Sequence, residues 1–237
     1  DRKTTTMTFK GDMVAQMGSH EFKLGFEARQ HKLDYESYGI EFLTYDYKKI
    51  SNDYLLYDRD LGFVQRKPTS PALLTEYSKE PVDAALYIVD KMELANNFIL
   101  NVGLRYEYFD AKSDYNTNLT SDLEDIKSGE MKRSLAPTEV KQYLSPRVSI
   151  SYPITAESVI RFSYGHFFQN GSLSSLYSNP NFYVDNFGST PTFGNANVEM
   201  QRSIQYELGL QQQLTENLKM ELTGYYKDVR DYIYFQT

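Results

Sequence analysis

Apolar and polar side chains alternate along much of this chain with a period of two. In Phe98-Ile99-Leu100-Asn101-Val102-Gly103-Leu104-Arg105-Tyr106-Glu107-Tyr108 one parity reads Phe, Leu, Val, Leu, Tyr, Tyr and the other Ile, Asn, Gly, Arg, Glu. A helix would scatter these apolar positions around its circumference. A strand sends successive side chains to opposite faces, so the segment predicts a strand between two different environments. Residues 84–94 repeat the pattern with Ala84, Leu86, Ile88, Met92 and Leu94, and Ala95-Asn96-Asn97 predicts the tight turn of a hairpin. A second hairpin is predicted from 143–152, where Val148, Ile150 and Tyr152 oppose Arg147, Ser149 and Ser151, through a turn at 153–158 to Ile160, Phe162 and Tyr164. A third runs from 203–214 through Thr215-Glu216-Asn217 into Leu218, Met220, Leu222, Gly224 and Tyr226. Residues 5–17 and 21–34 make a weaker pair around Gly18-Ser19-His20, for about eight strands in all.

Turns within the hairpins are a few residues long, whereas the connections at roughly 35–80, 110–142 and 169–202 far exceed ordinary loop length. A soluble sandwich also alternates, so the period alone does not identify a membrane protein. Three features favour a transmembrane barrel. The apolar parity runs for about five to six positions, close to the 9–11 residues that a tilted strand uses to cross the hydrocarbon core. Aromatics sit near strand ends (Phe98, Tyr106, Tyr108, Tyr152, Tyr164, Phe168, Tyr226), as in an interfacial girdle. The opposite parity carries Arg105, Glu107, Arg147, Arg161, Glu207, Lys219 and Glu221, which suits a wet lumen. The predicted fold is all-β, an antiparallel transmembrane barrel with short periplasmic turns and long extracellular loops.

Composition narrows the function. With 25 Lys and Arg against 32 Asp and Glu the net charge is −7, which gives no basic footprint for nucleic acid. The 237 residues include no cysteine, which excludes a disulfide scaffold and suits an oxidising compartment. The longest apolar runs are a few residues, against about 20 for a helical span; this excludes a helical membrane protein and leaves a barrel open.

Three stretches carry a resemblance. Tyr87-Ile88-Val89-Asp90-Lys91-Met92-Glu93-Leu94 with Leu100-Asn101-Val102-Gly103-Leu104-Arg105-Tyr106-Glu107 resembles a barrel hairpin of TonB-dependent outer-membrane receptors. The run from Asn195 to Gly209 is similar to that family's NPxLxPExSxxYExG entry into a strand, with Met200 in place of a proline. The closing Leu222–Ile233 stretch is similar to a family strand ending in an aromatic, Lys-Asp and a short apolar step. Such receptors have a barrel of about 22 strands filled by a plug, and they import siderophores, vitamin B12, glycans or peptides with energy passed through TonB. The resemblance therefore implies a bacterial outer-membrane location, with membrane lipid, a small-molecule, glycan or peptide ligand, and the TonB system (through a plug not in this chain) as partners. No catalytic constellation stands out in the sequence, so neither a cofactor nor enzymatic activity is expected. With about eight strands, no plug and an end at Phe235-Gln236-Thr237, residues 1–237 are expected to be part of one larger barrel domain. A small eight-stranded barrel, closed on itself and bearing adhesive loops, is the alternative.

Chemical motifs are sparse. His20, His31 and His166 lack metal-ligand spacing, and no Gly-rich nucleotide loop occurs. A Ser-His-Asp hydrolase remains a third reading, since sequence order does not define a triad. Asp53–Asp60 and Asp122–Asp125 read as solvated acidic loops, and the acceptor sequences at Asn118 and Asn170 are inert in a bacterium. What remains is binding by loop aromatics: Tyr45, Tyr47, Tyr54, Tyr57, Tyr115, Tyr177, Phe182, Tyr183 and Phe187 either hold a ligand or pack the loops together. Arg105, Arg147 and Arg161 on the inner parity either face substrate or pair with Glu107 and Glu207. The ligand-contact candidates are thus Tyr177, Phe182, Tyr183, Phe187, Arg105, Arg147 and Arg161.

Overall fold

The computed structural model of the chain describes residues 1–38, 56–58, 62–64, 74–94, 97–117, 134–178 and 193–233. Every predicted strand is present. β1 (Arg2–Met17) and β2 (His20–Tyr38) turn at Gly18-Ser19; β6 (Val82–Leu94) is followed by β7 (Phe98–Asp110); β10 (Lys141–Pro153) leads to β11 (Ser158–Gln169), and β12 (Gln201–Thr215) to β13 (Leu218–Arg230). These eight form one antiparallel meander in the order β1-β2-β6-β7-β10-β11-β12-β13. The pair that read most weakly in sequence supplies the two longest strands, of 16 and 19 residues. Its outer parity, Met7, Phe9, Gly11, Met13, Ala15 and Met17, is diluted by small residues, but unbroken pairing from Arg2↔Tyr35 to Met17↔His20 fixes it.

The long connections begin as shorter ribbons. β5 (Leu74–Lys79) pairs with the upper part of β2. It is separated from β6 by Glu80-Pro81, where proline has no N–H to give the ladder; His31 N–H donates to Pro81 O at 3.0 Å across the break. β3 (Leu56–Asp58) pairs with β4 (Gly62–Val64), and β8 (Asp114–Asn116) with β9 (Leu135–Pro137). In the sequence these spans read as loops, because three residues are too few to display a period.

Register places the two parities on opposite faces of the whole sheet. Leu24, Ile88, Leu104 and Pro146 are successive cross-strand neighbours on one face, and Phe162, Leu208 and Gly224 continue it. This apolar face is the exposed one: Leu86 is 53%, Leu208 55% and Leu222 65% accessible. The polar parity lines the concave side, around a hollow of about 690 Å³. The arrangement is the inverse of a soluble sandwich, in which the alternating apolar face is the buried one. A surface of contiguous exposed leucine, isoleucine and aromatic side chains requires an apolar surrounding. β1 and β13 are not paired with each other among the described residues, so the eight strands do not close into the small barrel held open above.

The buried apolar core lies at one end of the sheet. Leu33, Phe109 and Ala111, at the upper ends of β2 and β7, meet Leu176, Tyr177, Ala196 and Met200 from the connection between β11 and β12. Tyr77, Tyr143, Phe168, Leu173 and Val198 pack around them. Burying each large side chain is worth about 1.5–3 kcal/mol, so this cluster orders a part of the chain that sequence alone shows as polar loop.

Candidate functional site

The site has two parts, the inner wall and the loop cap above it. On the wall, β2 places Lys23, Glu27, Arg29 and His31 on one parity, and pairing with β6 sets Arg29 opposite Asp83. Arg29 Nε lies 2.8 Å from one Asp83 oxygen and His31 Nε2 2.6 Å from the other. Thr6 Oγ1 is 2.9 Å from His31 Nδ1, so the imidazole links β1 to β6. Further across, Arg105 Nε donates to Glu107 at 2.8 Å and Arg105 Nη2 lies 3.9 Å from Glu27. The guanidinium of Arg105 and the ammonium of Lys23 lie over the Tyr87 ring, 5.6 and 5.9 Å from its centroid, and the Tyr87 hydroxyl donates to Asp12. Facing charges along neighbouring strands neutralise each other at contact distance, which half-buried groups require.

The sequence placed Arg105, Arg147 and Arg161 on the inner face, and all three are there, in different states. Arg105 is held by Glu107, as one of the two anticipated pairings. Arg161 donates to Gln211 at 3.0 Å and lies 3.8 Å from Glu221 rather than on Glu207. Arg147 lies over the Phe167 ring, 4.5 Å from its centroid. Sequence reading missed the Arg29-His31-Asp83 group. Its charged residues share a parity within β2, but their partner lies on a strand more than fifty residues away, and no local spacing shows that.

In the cap, a single helical turn, Leu173–Leu176, presents Tyr177 downward. Tyr177 is 2% exposed, and its hydroxyl donates to Ala111 O at 2.7 Å. Burial pushes its phenol well above the usual tyrosine range, with the Asp110 charge adding to the effect. Tyr177 therefore packs the loops together. Tyr115 is half-buried on β8. Phe182, Tyr183 and Phe187 lie outside the described residues, as do Tyr45, Tyr47, Tyr54, the Asp122–Asp125 run and Asn118.

The segment before β12 is tied to β10 by polar contacts. Asn197 Oδ1 accepts from Glu139 N at 2.8 Å, and Asn195 Oδ1 from Asn197 N at 2.9 Å. Lys141 Nζ donates to Glu199 at 2.7 Å, the Tyr143 hydroxyl donates to the same carboxylate, and Met200 N–H donates to the Tyr143 oxygen at 3.1 Å. Hydrogen bonds from Lys141 and then Tyr143 hold Glu199 below the usual glutamate range. The Asn-rich entry motif singled out in the sequence is thus a clamp that aims the chain into β12.

Comparison with known proteins bears on what this wall belongs to. No curated protein sequence matches. Among solved structures, the chain is similar to the copper transporter OprC (12% identity, TM-score 0.58), covering 98% of this chain and 31% of that one. It is likewise similar to the FrpB iron transporter from Neisseria meningitidis (14% identity, TM-score 0.53), covering 98% of this chain and 30% of that one. At such identity the likeness is one of fold, and the chain spans about a third of the length of each. The family described as "TonB dependent receptor-like, beta-barrel" matches residues 2–237. A sheet with its apolar face outward, a charged concave wall and an Asn-led clamp into β12 is what such a barrel wall needs, and with that match over nearly every residue the chain belongs to the β-barrel family of TonB-dependent receptors.

Proposed function

We propose that this chain forms part of the barrel wall of an active-transport receptor in a bacterial outer membrane. The receptor binds its substrate, a siderophore, vitamin, glycan or peptide, in extracellular loops, and imports it with energy delivered by TonB through a plug domain. Family membership over residues 2–237 is the observation that carries this reading, and the exposed apolar face is consistent with it. Within the proposal the chain supplies wall and recognition surface. Tyr177 builds the cap from within, leaving Phe182, Tyr183 and Phe187 as the aromatic candidates for ligand contact and Arg105, Arg147 and Arg161 as inner-wall candidates. Catalysis has no part in the reading.

The test is whole-cell uptake of labelled ferric siderophores, vitamin B12, oligosaccharides and peptides, in cells with and without the full-length gene and with and without TonB. Uptake of one class should vanish on loss of either. Uptake of every class unaffected by both deletions overturns the proposal.

A further inference from the structure

Arg147 differs from the other arginines of the inner wall. Arg29 is held by Asp83, Arg105 by Glu107 and Arg161 by Glu221. Among the described residues Arg147 has no carboxylate within ion-pair distance and makes no hydrogen bond; its one specific contact is the face of Phe167. Register explains the isolation. Its direct neighbours across both ladders are glycines, Gly103 on β7 and Gly165 on β11, so no side chain flanks it on either side. A Cβ at Gly165 would stand 3.0 Å from the Phe167 ring and 3.4 Å from Arg147 Cγ; glycine there lets the ring lie beneath the guanidinium. One row nearer the short turns, Asn101 donates to Ser149 at 3.1 Å, and Ser163 pairs with Ser149 across the next ladder.

A guanidinium that lies over a ring and donates to no acceptor keeps its N–H groups for a ligand, and those groups form a planar fork matching the two oxygens of a carboxylate. The surrounding charge favours the same ligand. Lys10, Lys23, Arg105 and Lys227 share the hollow with Arg147, against Glu27 and Glu207, and Asp12 and Glu107 sit beside Lys23 and Arg105; a small positive balance remains there, although the chain as a whole carries −7. We propose that Arg147, in its trough between Gly103 and Gly165, is a carboxylate-binding point of the lumen. The carboxylate is either that of a free ligand entering the barrel or an acidic side chain from a segment outside the eight strands. The inference rests on reading the concave face as a lumen. Its measurements use purified protein, so they fail or succeed independently of any uptake assay.

The experiment uses the full-length protein as wild type, Arg147→Lys, Arg147→Met and Arg161→Met, each checked for folding by its gel mobility before heating. Calorimetric titration with citrate probes the free carboxylate, and hydrogen exchange of the whole polypeptide without citrate probes the internal one. If the ligand is free, Arg147→Lys weakens citrate binding by roughly tenfold or more, because charge is kept and the fork is lost, and Arg147→Met abolishes it. If the carboxylate is internal, Arg147→Met speeds exchange at least about tenfold in one acidic segment outside the strands, and Arg147→Lys does so less. Should Arg147→Met misfold, Arg147→Lys decides alone. The proposal is overturned if the folded Arg147 variants change neither measurement, or if Arg161→Met, whose arginine is already paired, has the same effect.

Discussion

The outward face makes the sharpest quantitative claim, and Leu208→Lys tests it. Leu208 is the eighth of fifteen residues in β12, lies between Phe162 and Gly224, and is 55% exposed within the chain. Fifteen residues at about 3.3 Å each, tilted by about 40°, rise roughly 38 Å. The apolar band of an outer-membrane barrel is about 25 Å tall. Wherever the strand ends sit relative to that band, the central residue falls several ångströms inside it. A lysine there is expected to cost more than about 1 kcal/mol and, at the midplane, about 2–4 kcal/mol, the latter roughly a 30- to 1000-fold shift in the folding equilibrium. If the face met water, replacing so exposed a leucine would change stability by no more than about 0.5 kcal/mol. The assay is denaturant unfolding of the full-length protein from short-chain phosphatidylcholine vesicles. The control is Thr223→Lys, on the inner parity of β13 and two residues from Glu221. If Leu208→Lys and Thr223→Lys agree within about 0.5 kcal/mol, the assignment of faces is wrong.

Three further outcomes follow from the cap. Tyr177→Phe leaves the Ala111 carbonyl without its donor and should loosen the 173–178 turn by about 1–2 kcal/mol, whereas Tyr177→Ala, which also opens a cavity, should cost about 3–5 kcal/mol; hydrogen exchange in that turn reads both. Gly194→Ala would set a methyl 2.6 Å from Ser175 O and 2.6 Å from Ser178 N, so the same turn should lose protection while the strands keep theirs. Glu199 is held below its unfolded value, about 4.3 for a free glutamate, so its stabilising contribution is fully present above that pH and is lost as pH falls through the lower folded value. Exchange of residues 193–200 should therefore rise on acidification below about pH 4, and in Glu199→Gln it should be raised already at neutral pH, since Lys141, whose side chain is 8% exposed, then keeps only the more distant Glu139 carboxylate.

How far the sequence carried the argument differs by element. The strands were legible because a pleated backbone forces side chains to alternate, and a membrane barrel exposes each parity to a different solvent along its whole length. Phe98–Tyr108 shows this in eleven residues. The short ribbons β3-β4 and β8-β9 offered no such run. Tyr177 could not be assigned from sequence to packing or to binding, because that depends on whether Ala111, Leu33 and Met200 converge on it. Likewise, the contrast between the paired Arg105 and the isolated Arg147 arises from the residues opposite them: in the chain both are arginines between apolar neighbours, with small or polar residues two positions away on either side.

The sequence by itself determined the period, the number of long strands, the short and long sides of the sheet and which side chains share a face. These are properties of consecutive residues, and a strand translates them directly into geometry. The tertiary structure decided register across the long connections, the Arg29-His31-Asp83 and Glu199-Lys141 pairings, the glycine trough around Arg147 and the cap core. Each of these joins residues tens of positions apart, and the energy of an ion pair or a buried ring exists only once pairing has brought its members to contact.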